Sequence, residues 1–460
     1  HVDLQNQIRE VIAETVVRNI LFGDQWSDVL IGNDPNKHPT WFTKGFVDYL
    51  AQPWDADFEA TIKDGFLTGL YDDFSRLDEE QSRHAGHAFW SFIEETYGKS
   101  QLMNLLYLTK MSGHIDRSLE YVLGSDLKTL LPSFSNYYKK RFLADLKYEE
   151  DIVGTEINFR SKKNEILVRF AASTDGERIA YVLNKDGRYR IFLKQSEEKK
   201  AKKIKAYEPK LPRIQDLTFP ILAFHPNGDY LVYFIERKGK LMFSLYDIEE
   251  GTTTQKELPS LEKVLSADYS KDGQSLVISG VKNGQTDLYT YKISGNSLDQ
   301  LTDDLWDDLD PKWTLDGENI IFSSNRNSDT LKEKEEILPS YNKLDLFVFD
   351  YKKKDRNKIV LKRLTNTPEV NETQPVEVKE DVFYYLNDQN GLRNRWKLEK
   401  DSVISFIDTM IHYRFDNKMS PATNFNTSIL NSEVISQTEV ISQIHQNGKD
   451  YLYRQILNEG

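Results

Sequence analysis

A short pattern that recurs at nearly equal spacing constrains this chain more than any other feature. Three copies begin with an aromatic residue and turn on Asn-Gly or Asp-Gly before an apolar run, and they are Phe224–Gly228, Tyr269–Gly273 and Trp313–Gly317. Their turn residues are Asn227, Gly228, Asp272, Gly273, Asp316 and Gly317. Asn-Gly and Asp-Gly provide the positive φ that a two-residue hairpin turn requires, and the flanking runs are short and β-branched. Each copy therefore predicts a pair of antiparallel strands.

The spacing of these hairpins predicts how they assemble. The three glycines lie at positions 228, 273 and 317, which are 45 and 44 residues apart. One four-stranded blade of a β-propeller has this length. A fainter copy ends at Asp175 and Gly176, and another without its glycine leads into Val382–Leu386. Five blades are therefore visible. A sixth would form from the two ends, with Ile157–Phe170 pairing with the C-terminal stretch, unless the chain ends before the propeller is finished.

Composition limits the classes of protein to consider. The 460 residues, 39% of them hydrophobic and 12% aromatic, suffice for two domains. The formal net charge of −13 argues against a nucleic-acid partner, because phosphate binding needs clustered Lys and Arg. The chain has no cysteine, which excludes thiol catalysis and disulfides, and it has no apolar run long enough to span a membrane. No secretion signal opens it, so we expect a mature protein or a fragment of one.

Residues 1–150 follow a different pattern, with apolar positions three and four residues apart, which is typical of helices. The predicted helices are Leu4–Leu21, Trp41–Leu50, Asp55–Leu67, Glu79–Tyr97, Ser100–Met111, Ile115–Val122 and Asp126–Leu146. The predicted fold class is therefore a multidomain α plus all-β protein. A helical domain at 1–150 precedes a β-propeller of about six blades at 151–460.

The helical half resembles a family of metallopeptidases. The segment Trp41–Leu50 is similar to the W-F-x-E-G-x-x-x-Y helix of gluzincin-like peptidases, and the likeness continues through Trp54-Asp55, His84–Ile93 and Tyr97-Gly98. Peptidases of this type are often fused to TolB-like propellers in Bacteroidetes bacteria. In that family an H-E-x-x-H helix holds zinc with its two histidines, the glutamate activates water, and a later glutamate is the third ligand.

The residues at the matching positions cannot hold zinc. The best match to the zinc helix is Ala13–Val17, where Glu14 is kept but Ala13 and Val17 replace both histidines. Lys44 stands where the third ligand should be, and an ammonium group repels a metal cation. The resemblance therefore implies a pseudopeptidase without metal or other cofactor. In such a site, Glu14 and Lys44 could form an ion pair that fills the position of the lost metal.

The second half resembles TolB. The segment from Leu301-Thr302 to Gly317 is similar to the L-T…D-x-x-P-x-W-S-P-D-G repeat, and Leu364–Thr367 and Asn387–Asn394 extend the likeness over about 155–400. An acidic cluster within this repeat could hold Ca²⁺ through its carboxylates, although the resemblance favours a structural use, and its members are Asp303, Asp304, Asp307, Asp308 and Asp310. His84 and His87 have metal-compatible spacing but lack a third ligand, so we interpret them as packing residues.

A propeller presents a rigid disc and does not by itself imply chemistry. With a metal-free helical domain, it predicts a non-enzymatic scaffold that binds protein partners. The resemblance implies an extracytoplasmic location, in the periplasm or at the outer membrane, and a secretion or motility assembly there. One alternative is an active zinc peptidase. Its zinc ligands would then lie outside this chain or at positions other than those matched above, with Asp48 as the replacement for the third ligand. Another is a glycan-binding propeller that stacks sugars on Trp306, Trp313 or Trp396.

Overall fold

The chain forms two compact units, residues 1–149 and 150–460, in a computed structural model. The structure describes residues 2–22, 38–67, 69–146, 155–156, 165–185, 187–195, 198, 200–207, 218–258, 260–327, 343–354, 361–368, 370–389, 391–407, 411–425, 427–435, 440–447 and 450–457. Each unit has its own hydrophobic core.

The first unit is helical throughout its described residues. Its helices are α1 Val2–Phe22, α2 Thr40–Ala51, α3 Ala56–Leu67, α4 Glu79–Tyr97, α5 Ser100–Ser112, α6 Ile115–Leu123 and α7 Leu127–Leu146. Local sequence explains several of the ends. Asp78 and Gln81 form a capping box at the start of α4, and Gly113 and Gly124 end α5 and α6 in the left-handed conformation.

Two glycines let α2 and α4 cross at very short distance. A Cβ atom added to Gly86 would lie 2.8 Å from Gly45 Cα and even closer to the carbonyl oxygen of Trp41. The crossing brings buried aromatic rings together, since Phe42 and Trp90 lie 5.0 Å apart between centroids and Trp90 Nε1 donates to the carbonyl oxygen of Phe42. The crossing is therefore the centre of the helical core.

The second unit contains 24 strands in the part of the chain that the structure describes. In the first half these are β1 Thr155–Glu156, β2 Ile166–Ala172, β3 Arg178–Lys185, β4 Arg188–Gln195, β5 Lys202–Tyr207, β6 Ile221–Phe224, β7 Tyr230–Arg237, β8 Lys240–Asp247, β9 Thr253–Glu257, β10 Lys263–Tyr269, β11 Ser275–Lys282 and β12 Gln285–Lys292. The rest are β13 Ser297–Gln300, β14 Asp308–Trp313, β15 Asn319–Ser324, β16 Asp345–Asp350, β17 Leu361–Arg363, β18 Glu372–Lys379, β19 Val382–Asn387, β20 Asn394–Ile407, β21 Ile411–Pro421, β22 Ile429–Ile435, β23 Val440–Asn447 and β24 Asp450–Leu457.

These strands form six four-stranded antiparallel sheets, here called blades. Blades 1 to 5 are β2–β5, β6–β9, β10–β13, β14–β17 and β18–β21, and blade 6 has the order β22-β23-β24-β1. The first strands of consecutive blades lie against each other, from β2 to β6, β10, β14, β18 and β22, and β22 in turn lies against β2. This closed order makes the unit a six-bladed β-propeller with its first strands around the axis.

Blade 6 draws its strands from both ends of the unit, but not from the segment that the sequence indicated. Thr155 and Glu156 pair with Gln455 and Arg454 of β24. The predicted pairing of Ile157–Phe170 with the C-terminal stretch is therefore wrong within the described residues. Ile166–Ala172 is the axial strand of blade 1, and residues 157–164 lie outside the described part of the chain.

The repeated turns differ in type from the prediction. At Gly176, Gly228, Gly273 and Gly317 the glycine has φ between 69° and 78°, whereas the preceding Asp175, Asn227, Asp272 and Asp316 do not have positive φ. The loops are also longer than two residues, because His225 N donates to the carbonyl oxygen of Tyr230. The prediction of two-residue turns is therefore wrong here. Two-residue turns occur instead between the second and third strands, at Lys238-Gly239 and Asn283-Gly284, where both residues have positive φ.

The aspartate of each repeated turn has a structural task. Asp272 Oδ1 accepts hydrogen bonds from Ser270 Oγ and from Gln274 N, at 2.6 and 3.0 Å. These hydrogen bonds hold the pKa of Asp272 below its usual value. Equivalent hydrogen bonds from the backbone reach Asp175, Asn227 and Asp316. The repeat is therefore a turn motif in which Asp or Asn orders the loop and Gly supplies the left-handed residue. The predicted fold class, a helical region followed by a β-propeller of about six blades, is confirmed.

Candidate functional site

The structure places the predicted zinc-site positions on α1 and α2. Ala13 and Val17 are buried in the helical core, and Glu14 is exposed. Lys44 Nζ donates to Glu79 Oε1 at 2.5 Å, and both side chains are largely exposed. The hypothesis that Lys44 pairs with Glu14 is therefore wrong. Neither buried position offers a lone pair, so the chemistry of these residues does not fit a zinc ion.

A buried carboxylate near these positions is already bound to a cation. Asp48 is 3% exposed and accepts hydrogen bonds from Arg83 through both oxygens, one of them from Nε at 2.7 Å. Arg83 also donates to Glu10. The pKa of Arg83 lies above its usual range, and the hydrogen bond to Asp48 is the largest cause of this increase. If Asp48 served as a metal ligand, the metal ion would have to displace this guanidinium group.

The two histidines of α4 belong to the core. The ring of His87 stacks on Phe58 with centroids 4.2 Å apart, and His87 is 3% exposed. Burial lowers the pKa of His87 to about 4, and it also lowers that of His84. His87 is therefore neutral at pH 7 and packs against aromatic rings. This geometry agrees with the interpretation of these histidines as packing residues.

The acidic cluster of the sequence is divided in the fold. Asp304 and Asp308 face Arg326, whose Nη1 lies 3.0 Å from Asp304 Oδ2 and whose Nη2 lies 2.6 Å from each Asp308 oxygen. Asp303 is exposed, and Asp310 accepts a hydrogen bond from Gln374 N in blade 5. Arg326 thus supplies the positive charge that balances Asp304 and Asp308.

One member of this buried cluster, Asp287, lies outside the run of aspartates in the sequence. Asp287 offers a carboxylate oxygen within 4.8 Å of oxygens from Asp304 and Asp308. Burial, reinforced by the charge of Asp308, raises the pKa of Asp287 to about 7. At the next blade boundary, burial likewise raises the pKa of Glu372 to about 7. Each of these two boundaries therefore carries a carboxyl group whose pKa is raised to near neutrality.

The raised pKa of Asp287 predicts that the propeller loses stability as the pH rises. Between about pH 4 and pH 7 the folded protein keeps a proton on Asp287 that the unfolded chain has released. The contribution of this proton to the free energy of unfolding is therefore complete below about pH 4 and lost above pH 7. Three pKa units correspond to about 4 kcal/mol. The two units between pH 5 and the folded pKa give about 2.7 kcal/mol of this, so we expect Asp287→Asn to reduce the difference in unfolding free energy between pH 5 and pH 8 by about 2 to 3 kcal/mol.

Urea unfolding of the wild type and the variant at both pH values measures this difference. Asp229→Asn, at an exposed turn position, is the control and should leave the difference unchanged. An equal pH dependence in the wild type and in Asp287→Asn would contradict the prediction.

A belt of polar contacts joins blades 3, 4, 5, 6 and 1 near the axis. Lys312 Nζ in blade 4 lies 3.0 Å from Asp268 Oδ1 in blade 3, and Asp310 is bonded to blade 5 as described above. Gln374 of blade 5 accepts from Ser432 N and donates to Leu430 in blade 6. The belt continues into blade 1, where Ala172 N donates to Glu433 Oε2 of blade 6 at 2.9 Å.

Charges also act across the axis. The negative charge of Asp310 in blade 4, on the opposite side of the ring, acts to raise the pKa of Arg169 in blade 1. The charge of Glu433 acts in the same direction. Burial raises the pKa values of Asp310 and Glu433 and lowers that of Arg169. For Lys312, burial lowers the pKa but the neighbouring carboxylates, Asp268 foremost, raise it above its usual value. The axis is thus lined by charged groups of both signs in a weakly hydrated environment.

Some polar atoms at the axis make no hydrogen bond to any described residue. They are Arg169 Nε, Ser266 Oγ and Asn431 Oδ1, which are all inaccessible to solvent. Each lies at a β-bulge in an axial strand, where an extra residue redirects the side chains. Buried polar groups without partners cost free energy, and a ligand that reaches them can recover it. These three atoms and the belt make the axis the candidate binding site.

Comparisons with known proteins identify similar propellers and no family. No protein-family model matches the chain, and no curated protein matches it. Among solved structures, TolB from Acinetobacter baumannii has 15% identity and a TM-score of 0.39, covering 61% of this chain and 64% of that protein. A putative TolB from Agrobacterium tumefaciens has 14% identity and a TM-score of 0.39, covering 58% of this chain and 86% of that one. The β-propeller domain of the Trilobed protease from Pyrococcus furiosus has 11% identity and a TM-score of 0.39, covering 65% and 97%.

The blade order established above rests on strand pairing. The chain spans less than two thirds of the length of the Acinetobacter protein. None of the described helices is long and apolar enough to cross a membrane.

The tryptophans considered as sugar platforms have different surroundings. Trp306 is 5% exposed, and Trp396 packs against the core between blades 4 and 5. Trp313 is only partly buried and borders a cleft. Sequence reasoning did not single out Arg169, Lys312 or Glu433. These residues could have been found by comparing equivalent positions of the axial strands. That comparison requires the strand register and the positions of its β-bulges, which the sequence does not reveal.

Proposed function

We propose that this protein is a non-enzymatic scaffold that binds a protein partner at the axis of its propeller. The observation that carries this proposal is the group of buried polar atoms without partners, Arg169 Nε, Ser266 Oγ and Asn431 Oδ1. An extended peptide offers backbone donors and acceptors in close succession, which suits polar atoms carried by the axial strands of three blades. The surrounding charges of both signs favour a polar segment over an apolar one.

The proposal includes a location and a setting. The TolB resemblance of the repeats supports an extracytoplasmic protein in a cell-envelope complex, at the periplasm or the outer membrane. A secretion or motility assembly at the outer membrane is the specific setting that we propose. The net charge of −13 argues against nucleic acid as the partner.

Photo-cross-linking in the native host tests the binding role. A photoreactive amino acid replaces Leu265, which lies at the bulge of β10 and belongs to none of the described core clusters. The matched control carries the same amino acid at Thr254, an exposed position on the fourth strand of blade 2. We expect a protein partner to be cross-linked from position 265 and not from position 254. Arg169→Gln should reduce its yield at least tenfold.

The same cross-linked species from both positions, or none from position 265, would argue against the axis as a binding site. Fractionation of the cross-linked complex then tests the proposed setting. Recovery in the cytoplasmic fraction would contradict the extracytoplasmic part of the proposal while leaving the binding role intact.

The helical unit is proposed to be a pseudopeptidase. Alanine and valine at positions 13 and 17 cannot coordinate zinc, and Lys44 is an ammonium group. We expect protein purified without chelators to contain far less than one equivalent of zinc by mass spectrometry, and Lys44→Glu to remain free of zinc. Stoichiometric zinc in the wild type would favour the alternative of an active metallopeptidase.

A further inference from the structure

A cleft lies between the repeated turns of blades 3 and 4. Its volume is about 430 Å³, within the range of small-molecule sites. One wall is the repeated turn of blade 3, and the other is the equivalent turn of blade 4 with Trp313 and Tyr351. None of the belt residues named above lines the cleft, and its role does not depend on the function proposed above.

The repeat itself explains why this boundary is open. In each turn a backbone hydrogen bond joins two residues five apart, such as His225 and Tyr230 or Ser270 and Ser275. Between blades 2 and 3 the first of these positions holds His225, whose ring lies 5.0 Å from Tyr269 and directly over Gly273. The imidazole thus fills the space between the two turns.

A different side chain fills the boundary between blades 1 and 2. There the last position of the turn holds Arg178, whose Nη1 donates to the carbonyl oxygen of Gly228 at 2.9 Å. At the boundary between blades 3 and 4, the equivalent positions are Ser270 and Ser275. Two serines leave unfilled the volume that an imidazole or a guanidinium group takes up elsewhere.

The floor of the cleft is aromatic. The rings of Trp313 and Tyr351 lie 4.9 Å apart at an angle of 87°. The residue equivalent to Trp313 in blade 3 is Tyr269, which is 7% exposed beneath His225, whereas Trp313 is only partly buried. Partial exposure of a tryptophan ring in a cleft provides a flat apolar surface with a polar rim.

The walls carry donors and acceptors in near balance. Lys271 and Lys292 face Asp272 and Asp316, so the formal charges of the lining cancel. Lys271 Nζ also donates to the carbonyl oxygen of Leu315 at 3.2 Å, across the boundary between the blades. The exposed groups that remain for a ligand include the Gln274 amide, the Lys292 ammonium and the Ser294 hydroxyl. Further polar side chains of the lining belong to Ser270, Asp272, Ser275, Asp316 and Tyr351.

We propose that this cleft binds a neutral saccharide. The apolar face of a pyranose ring stacks on a partly exposed indole such as that of Trp313, and its hydroxyl groups donate to carboxylates and accept from amide and ammonium groups. The lining has no net formal charge, which favours a neutral ligand over a phosphorylated or sulfated one, and the polar walls disfavour a purely apolar ligand. Among the three tryptophans considered from the sequence, the inference concerns Trp313 alone.

Ser270→His tests the proposal by filling the cleft as His225 fills the preceding boundary. The substitution removes the hydrogen bond from Ser270 Oγ to Asp272, but we expect the turn to fold, because at the equivalent position the ring of His225 pairs with Asn227 Oδ1. The control is Thr254→His, on an exposed outer strand of blade 2. Isothermal titration calorimetry with maltotriose, cellotriose, laminaritriose and chitotriose supplies the probes, with glucose 6-phosphate as an anionic comparison.

We expect saturable binding of at least one neutral trisaccharide, accompanied by a change in tryptophan fluorescence. Ser270→His should weaken that binding at least tenfold, and Thr254→His should leave it unchanged. Absence of binding by all four trisaccharides would overturn the proposal, as would equal binding in Ser270→His. Binding of glucose 6-phosphate alone would overturn the assignment to a neutral ligand. None of these outcomes bears on cross-linking at the axis.

Discussion

Gly86→Ala is expected to unfold the helical unit while the propeller stays folded. The new methyl group would lie 2.8 Å from Gly45 Cα and closer still to the carbonyl oxygen of Trp41, so it meets backbone that cannot rotate away. Overpacking of this kind forces helices apart, and we expect a loss of about 3 kcal/mol or more. Because the crossing of α2 and α4 also buries Trp41, Phe42 and Trp90, separation would expose much of the aromatic core.

Far-UV circular dichroism during urea unfolding follows the helical unit, and limited proteolysis shows which unit is cut. The control is Gly295→Ala, since a Cβ at Gly295 meets only Ser297 Oγ at 3.6 Å and the residue has no positive φ. A change below about 1 kcal/mol in Gly86→Ala would mean that the crossing tolerates a methyl group.

Arg326→Met is expected to destabilise the propeller by about 3 to 5 kcal/mol at pH 8. Arg326 is fully buried, and its removal would leave Asp304 and Asp308 as neighbouring carboxylates without their cation. Methionine has a similar length but no donor. Burial already raises the pKa of Asp304, so without the arginine this group should take up a proton as the pH falls. The loss in stability should therefore be clearly smaller at pH 5 than at pH 8.

Urea unfolding followed by tryptophan fluorescence at the two pH values tests this expectation. Lys240→Met, which removes the exposed ion pair with Glu257, is the control and should cost no more than about 1 kcal/mol. If Arg326→Met were equally destabilising at pH 5 and pH 8, the loss would come from packing and not from unpaired carboxylates.

Local sequence was sufficient to predict most of the secondary structure. The seven described helices end within two residues of their predicted bounds, because capping residues and glycines mark their ends. The Asn-Gly and Asp-Gly turns occur where the repeat indicated, since the glycine requirement is local. Their exact type was mispredicted, because Asp272 and its equivalents act as hydrogen-bond acceptors rather than as residues of positive φ.

The candidate sites depend on contacts that local sequence does not encode. Arg169 and Asp310 are 141 positions apart, as the difference between their numbers shows, and only closure of the ring brings their charges together. Asp287 joins Asp304 and Asp308 because adjacent strands and blades pack there. The peptidase resemblance of the helical unit remains a prediction, and the structure adds that Lys44 pairs with Glu79.

The sequence by itself determined the blade period, the helical first half and the absence of thiol chemistry. These follow from residue types at short range: the left-handed glycine, the three- and four-residue apolar spacing, and the lack of cysteine. The tertiary structure decided which charges meet at the axis and which blade boundary is open. Both depend on the register of strands and on side-chain volume at equivalent turn positions, where two serines leave space that a histidine fills one blade earlier.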